Sequence, residues 1–397
     1  MNGRPGSERR RLALVVWGVL VSQVFLYPGL EDLVAALGAP GSIRAGMWFL
    51  VAEFAAFVVF APVWGAVSDV VGRRVPLVVA GAVGGAASYL VLPFLPSVGV
   101  DYEAVLLVRV VGGAATIGAF SLSLTMLMDL SGGHGRNMGA AGIAIGLGAA
   151  LGSVVGGQLA SVDPLAPLYG ASVVLLAVAG LAATVPDRTA GRSPGFGAVV
   201  DRLGDRPALG VPYVFGFVDR STAGFFSLVG VYYFRDAFDL DAAMAGVTLA
   251  CFFLPFALLQ YPFGVLSDRI GRVVPVVGGS VVYGLTIVAV GVAPVYPLAV
   301  AAMVAAGVCG ALMAPATMAL VTDLADPAQR GAAMGGFNVF GSFGFLTGFL
   351  LGGLVVDAAN YLSAFLVVGG LELAIALLAL PAVRRLGRSS TELESLA

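Results

Sequence analysis

Ionisable side chains lie inside long apolar runs, among them Glu31, Asp32, Glu53 and Arg109 in the first half of the chain and Asp219 and Arg220 in the second. An acid or arginine at the centre of a membrane helix costs about 2.5–3.5 kcal/mol on insertion scales, so each needs a partner or a task. A buried carboxyl has one ready chemistry. It holds a proton while dry and gives it up when an arginine or water approaches. Counted from the midpoints of the runs at about 1.5 Å per residue, Glu31 lies about 9 Å, Glu53 about 5 Å and Arg109 about 10 Å outward of centre. These levels predict an Arg109–Glu31 or Arg109–Glu53 pair. Asp219 and Arg220 fall slightly inward of centre. Sequence neighbours do not face each other on a helix, so each needs a partner elsewhere, or only one faces a cavity. Gln23, Tyr27 and Glu31 follow i, i+4, i+8 spacing and share one helix face, with a helix break expected at Pro28-Gly29 just before the two acids. Gln260 and Asn338 are further polar candidates, for hydrogen bonds to a ligand or between helices. The competing reading makes Glu31 and Asp32 solvated charges in an outer vestibule, Glu53 a structural ion pair, and Asp219 and Arg220 members of a static network. Glu372, in the middle of the last run, has no assigned role.

The rest of the composition offers catalysis little. There is one histidine, His134, and the two cysteines, Cys251 and Cys309, are far apart in apolar runs. No metal cluster, disulfide or Ser/His/Asp constellation is expected from these, and no GxxxxGK[ST] phosphate loop occurs. No catalytic residue, metal or cofactor is expected, and the chain is read as not an enzyme; any energy source is a proton gradient. A net charge of −2 gives no reason to expect a nucleic-acid partner.

These residues must be positioned by membrane helices. The chain of 397 residues is 59% hydrophobic and only 11% charged, far below the roughly quarter charged of soluble domains. Apolar runs of about 20 residues span a bilayer as helices. Twelve are read, at 12–38, 44–68, 75–96, 102–129, 137–160, 166–186, 209–235, 242–267, 273–293, 297–324, 331–356 and 359–383. The longest polar segment, 187–208, falls between the sixth and seventh. The expected organisation is therefore an all-α membrane protein of two six-helix bundles, 1–186 and 209–397, joined by a cytoplasmic linker at 187–208, with a short tail. All 21 basic residues are arginine. With the N-terminus inside, Arg44 and Arg235 fall outside and Arg109 and Arg220 within spans, leaving 17 of the 21 on the cytoplasmic side. Both termini are then cytoplasmic by the positive-inside rule, and the first span, at about 27 residues, is too long for a cleaved signal sequence.

The two halves carry the same punctuation. "GAVSDVVGRR" at 65–74 returns as "GVLSDRIGR" at 264–272, pairing Gly65/Gly264, Asp69/Asp268, Gly72/Gly271 and Arg73/Arg272, with Arg74 following in the first copy only. Asp129 and Arg136 return as Asp323 and Arg330. The ladder Gly148, Gly152, Gly156, Gly157 returns as Gly344, Gly348, Gly352, Gly353. Three patterns repeating at nearly one offset imply two bundles in the same orientation. A carboxylate at the inner end of a helix faces the negative end of its macrodipole, so Asp69 needs a cation, and Arg73 is the nearest candidate. Gly72 permits the tight turn and Gly65 the close approach of another helix.

Over essentially its whole length the chain resembles the major facilitator superfamily of secondary transporters. The match rests on Gly65-x-x-x-Asp69-x-x-Gly72-Arg73-Arg74 between the second and third spans, and on Arg109 followed by small residues in the fourth. It rests also on Gly148-x-x-x-Gly152-Ser153-x-x-Gly156-Gly157 in the fifth. Gly112 stands where the family has Gln, and Ser153 where its antiporter motif has Pro, which leaves the direction of transport open. The resemblance implies twelve helices and alternating access. It also implies a latch formed by Gly65, Asp69, Gly72, Arg73 and Arg74 with Asp268, Gly271 and Arg272, the first copy carrying more of it. The expected function is a secondary active transporter of a small solute in the cytoplasmic membrane of a prokaryote, proton-coupled and exporting, working as a monomer with lipid as its surroundings. The alternatives are an importer or uniporter of a metabolite, and a receptor that binds without transporting.

Overall fold

The computed structural model describes residues 5–131, 134–187, 206–326 and 329–394. Of the expected linker at 187–208, residues 188–205 lie outside the described residues.

The first span is not one helix. α1 (Pro5–Val24) ends early and α2 (Leu30–Ala36) restarts beyond a break. The proline brings no N–H to a ladder and the glycine no stiffness, and Phe25–Gly29 closes instead in short turns, such as Tyr27 N–H to the Val24 carbonyl at 3.1 Å. The shared face expected for Gln23, Tyr27 and Glu31 is therefore corrected: α1 stops between Gln23 and Tyr27, and Glu31 belongs to a separate helix.

α3 (Ile43–Val71) starts on Ser42, whose hydroxyl accepts from the Ala45 N–H at 3.4 Å. It ends on Gly72, whose φ of 69° closes the last turn onto the Ser68 carbonyl. Gly271, the repeat of Gly72, has a φ of 80°. A side chain is strained in that conformation, which is why glycine stands at both turns. α4 (Val75–Val91), α5 (Tyr102–Met128), α6 (His134–Val162) and α7 (Ala166–Ala183) follow. The seventh span is composite: α8 (Gly210–Phe225), a π-helical turn at Phe226–Gly230, then α9 (Val231–Phe238). α10 (Ala242–Ile270) contains Pro255 and Pro262. A second π turn, Val274–Gly278, leads into α11 (Gly279–Gly291), and α12 (Tyr296–Leu324), α13 (Arg330–Ala358) and α14 (Tyr361–Glu394) complete the chain.

Among the described residues eleven helices, counting α8 through α9 as one run, are long and apolar enough to cross a membrane. The first span is not among them, because α1 carries Glu8 and Arg9–Arg11 and breaks at Val24. Large apolar side chains point outward on the helices, among them Val111, Val173 and Leu378. A surface of this kind suits lipid rather than water.

The chain divides into two compact units, one comprising Met1–Ser193 with Gly230–Leu254, the other Pro194–Val229 with Pro255–Ala397. In the first, α3 and α4 pack on α5, α4 on α7, and α1 on α6. In the second, α8 packs on α13, and α11 on α12 and α14. The glycine ladders lie in these seams. A Cβ added at Gly148 would stand 3.1 Å from the Trp17 carbonyl oxygen and one at Gly152 3.2 Å from that of Val21, so the α6 ladder lies on the backbone of α1. Gly156 continues it against Phe25, and Gly157 meets the Ala242 backbone. Gly344 and Gly348 do the same along α8, against the backbone at Phe217 and Ser221, while Gly352 meets the Phe225 and Val229 side chains and Gly353 is buried. With no hydrophobic driving force between helices in lipid, such close backbone contact holds them together.

Candidate functional site

In the first unit, Arg109 on α5 and Glu53 on α3 form a salt bridge in which both side chains are all but fully buried. Of the two pairs expected for Arg109, this is the one that forms. The guanidinium is held on every side. Its Nε donates to the Phe49 carbonyl at 3.4 Å, and it lies 4.2 Å from the Phe49 ring centroid and 5.5 Å from that of Tyr89. The Tyr89 hydroxyl on α4 donates to the other oxygen of Glu53 at 3.2 Å. Tyr27, in the break of the first span, interacts electrostatically with Glu53, Tyr89 and Arg109. The small residues after Arg109 have a concrete purpose: a Cβ on Gly113 would come within 2.7 Å of the Glu53 carbonyl oxygen. Gln23 is buried in the same unit, its Nε2 without a hydrogen-bond partner among the described residues.

Glu31 and Asp32 do not join this cluster. Both face Arg235 of α9, whose Nη1 lies 2.8 Å from Asp32 and 3.6 Å from Glu31. Their level counted along an unbroken helix was misleading, because α2 is set off from α1 by the break. Nearby, the Tyr232 hydroxyl donates to the Ser42 carbonyl at 3.4 Å, and Gly246 of α10 packs on the Ser153 backbone of α6.

In the second unit, Asp219 and Arg220 do approach each other, at 4.0 Å between Nε and a carboxylate oxygen. Asp219 is buried, while Arg220 is less so and lies along Gly341 and Gly344 of α13. Gln260 on α10 and Asn338 on α13 are half-buried.

The charged turns form compact ion clusters within each unit. Arg74, with its side chain buried, reaches Asp129 at 2.5 Å, and its backbone N–H donates to Asp187 at 3.0 Å. Arg73, the partner expected for Asp69, reaches Asp187 at 3.4 Å. In the second unit Arg272 binds Asp268 at 2.7 Å, Asp323 at 3.0 Å and the Ser267 hydroxyl at 2.9 Å. Two patterns that repeat separately in the sequence are thus each other's partners: the acid ending the fourth or tenth span binds the arginine of the turn. Sequence reasoning found both patterns without joining them. It missed Tyr89 and Asp187 altogether, since a tyrosine in an apolar run and an acid beside a linker carry no signal of their own.

Comparison with known proteins gives the same architecture a wider setting. Residues 12–218 and 213–395 match the profile of the Major Facilitator Superfamily. The chain is 28% identical over 291 residues to the class G tetracycline resistance protein of Vibrio anguillarum, covering 70% of this chain and 72% of that protein. It is 25% identical over 341 residues to the class C tetracycline resistance protein of Escherichia coli, covering 82% of this chain and 83% of that one. The fold matches a crystallised variant of the nucleoside transporter NupG with a TM-score of 0.75 at 16% identity, over 95% of this chain and 99% of that one.

Proposed function

This chain belongs to the major facilitator superfamily, a family of multi-pass membrane transporters, and on that footing we propose that it exports a small amphipathic solute in exchange for protons. The observation that carries the coupling is the Glu53–Arg109 pair, buried with Tyr89 in the interior of the first unit. A carboxylate held by an arginine in a dry setting takes up a proton when the arginine is drawn away, and releases it when the pair re-forms. Asp219 beside Arg220 offers the same chemistry in the second unit. Export is supported by the two relatives named for tetracycline resistance, each matched over 70% or more of this chain, which makes tetracycline the first solute to test. The excess of arginine on one side of the spans supports cytoplasmic termini in a bacterial plasma membrane. The arginine–aspartate clusters at the charged turns, Arg74–Asp129 and Arg272–Asp323, would hold the helix ends of each half while the solute pathway turns inward, and a single chain suffices for the cycle.

Lumenal pH in proteoliposomes holding an imposed proton gradient tests the reading. Addition of tetracycline or a related amphipathic solute is expected to collapse the gradient, and Glu53→Gln or Asp219→Asn to abolish that response. Labelled solute crossing with the gradient intact overturns proton coupling. Binding without crossing overturns transport.

A further inference from the structure

Glu372 lies mid-helix on α14 and is completely buried. One carboxyl oxygen accepts a hydrogen bond from the Ser280 hydroxyl of α11, and the other has no hydrogen-bond partner among the described residues. No cation bridges to it among the described residues. The elements packed on α14 are α8, α11, α13 and the π turn at Val274–Gly278, and their ionisable groups are few. α8 contributes Asp219, Arg220 and Tyr213, whose hydroxyl donates to the Ala333 carbonyl at 2.7 Å, and α11 contributes Tyr283. α13 carries ionisable residues only at its two ends, Arg330 and Asp357, and the π turn carries none. Glu372 interacts electrostatically with Asp219, and Tyr283 with both acids and with Cys309 of α12. Thr222 of α8 lies against the Tyr283 hydroxyl.

An ionised carboxylate without a cation is among the most costly groups to bury. Two carboxyls that interact in one low-dielectric region do not both ionise, and their protons come off as a coupled pair. Arg220 stands 4.0 Å from Asp219, and no salt bridge joins it to Glu372 among the described residues, which favours Asp219 as the ionised member.

We propose that Glu372, Tyr283 and Asp219 form one proton-binding site inside the second unit, in which Glu372 keeps the resident proton while Asp219 is ionised beside Arg220. The site carries at most one negative charge, so a proton reaching Asp219 neutralises the cluster. Its place in a transport cycle rests on the proton-coupled reading above, whereas its protonation does not.

Infrared difference spectroscopy of the purified chain in lipid nanodiscs, without solute, tests it through the carbonyl stretch of a protonated carboxylic acid. A band present at neutral pH is expected to vanish in Glu372→Gln and to shift in frequency in Ser280→Ala, which retains the carboxyl but loses its hydrogen bond. The pH at which the band disappears is expected to move in Asp219→Asn relative to the unchanged chain. A spectrum in which no band depends on Glu372 or responds to Ser280→Ala overturns the resident proton. A band whose pH response is the same in Asp219→Asn overturns the shared site. A chain that does not transport at all leaves both readouts intact, so failure of the exporter reading is told apart from failure of this one.

Discussion

At the scale of single residues the Glu53–Arg109 pair sets the sharpest expectation. Removing one member of a buried ion pair leaves the other charge uncompensated, at a cost of about 3–5 kcal/mol, while replacing both is far milder. Arg109→Gln is therefore expected to lower the melting temperature in detergent markedly, and the double variant Arg109→Gln with Glu53→Gln to recover most of the loss. Equal melting of the single and double variants would remove the energetic case for the pair. The sequence offered this pair as one of two for Arg109, and depth counted along the runs did not single it out. The place of Glu31 was not legible, because a count along one helix fails across the break at Phe25–Gly29. Tyr89 was not either. Nothing in an apolar run tells a tyrosine that closes a polar cluster from one that fills space.

At the scale of elements the glycine ladders and the charged turns act on helix pairs. Gly348→Val would place a branched side chain against the Ser221 carbonyl and the Phe225 backbone, and the seam between α8 and α13 has no room to yield. Folded yield by size-exclusion chromatography is expected to fall severalfold, while Gly370→Val, which meets nothing within 4 Å, leaves it unchanged. Equal yields for the two would show that the ladder is not a packing seam. At the charged turns, Asp129→Asn removes one carboxylate that the buried Arg74 binds. It is expected to reduce solute-driven proton movement in proteoliposomes without loss of insertion, and unchanged flux would reduce this contact to a topology signal. The ladders could be read as repeats from spacing alone. That they run along the first and seventh spans could not, since spacing on one helix names no partner.

For the whole molecule, eleven of the twelve expected spans, the duplicated punctuation and the family were readable, since apolar length and repeat offset are properties of the chain itself. In the structure α9 and the first half of α10 group with the first compact unit, through contacts that sequence order does not announce. Arg235 with Glu31 and Asp32 is one such contact. In a cysteine-free background, Val34→Cys on the buried face of α2 is expected to react with a polar maleimide faster when Arg235→Gln is added. An unchanged rate would show that the ion cluster does not hold α2 and α9 together.

The π turn at Phe226–Gly230 sits where the seventh span passes from one unit to the other. Each residue of an α-helix turns the chain by about 100°, and a π turn accommodates one more residue than the regular ladder would. Excising a single residue, such as Leu228, would let the ladder run on in regular form and rotate everything beyond it. Asp219 would keep its place, while Arg235 would swing about a quarter turn away from Glu31 and Asp32. The extra residue thus works as a phase setting along the seventh span, fixing which way Arg235 points.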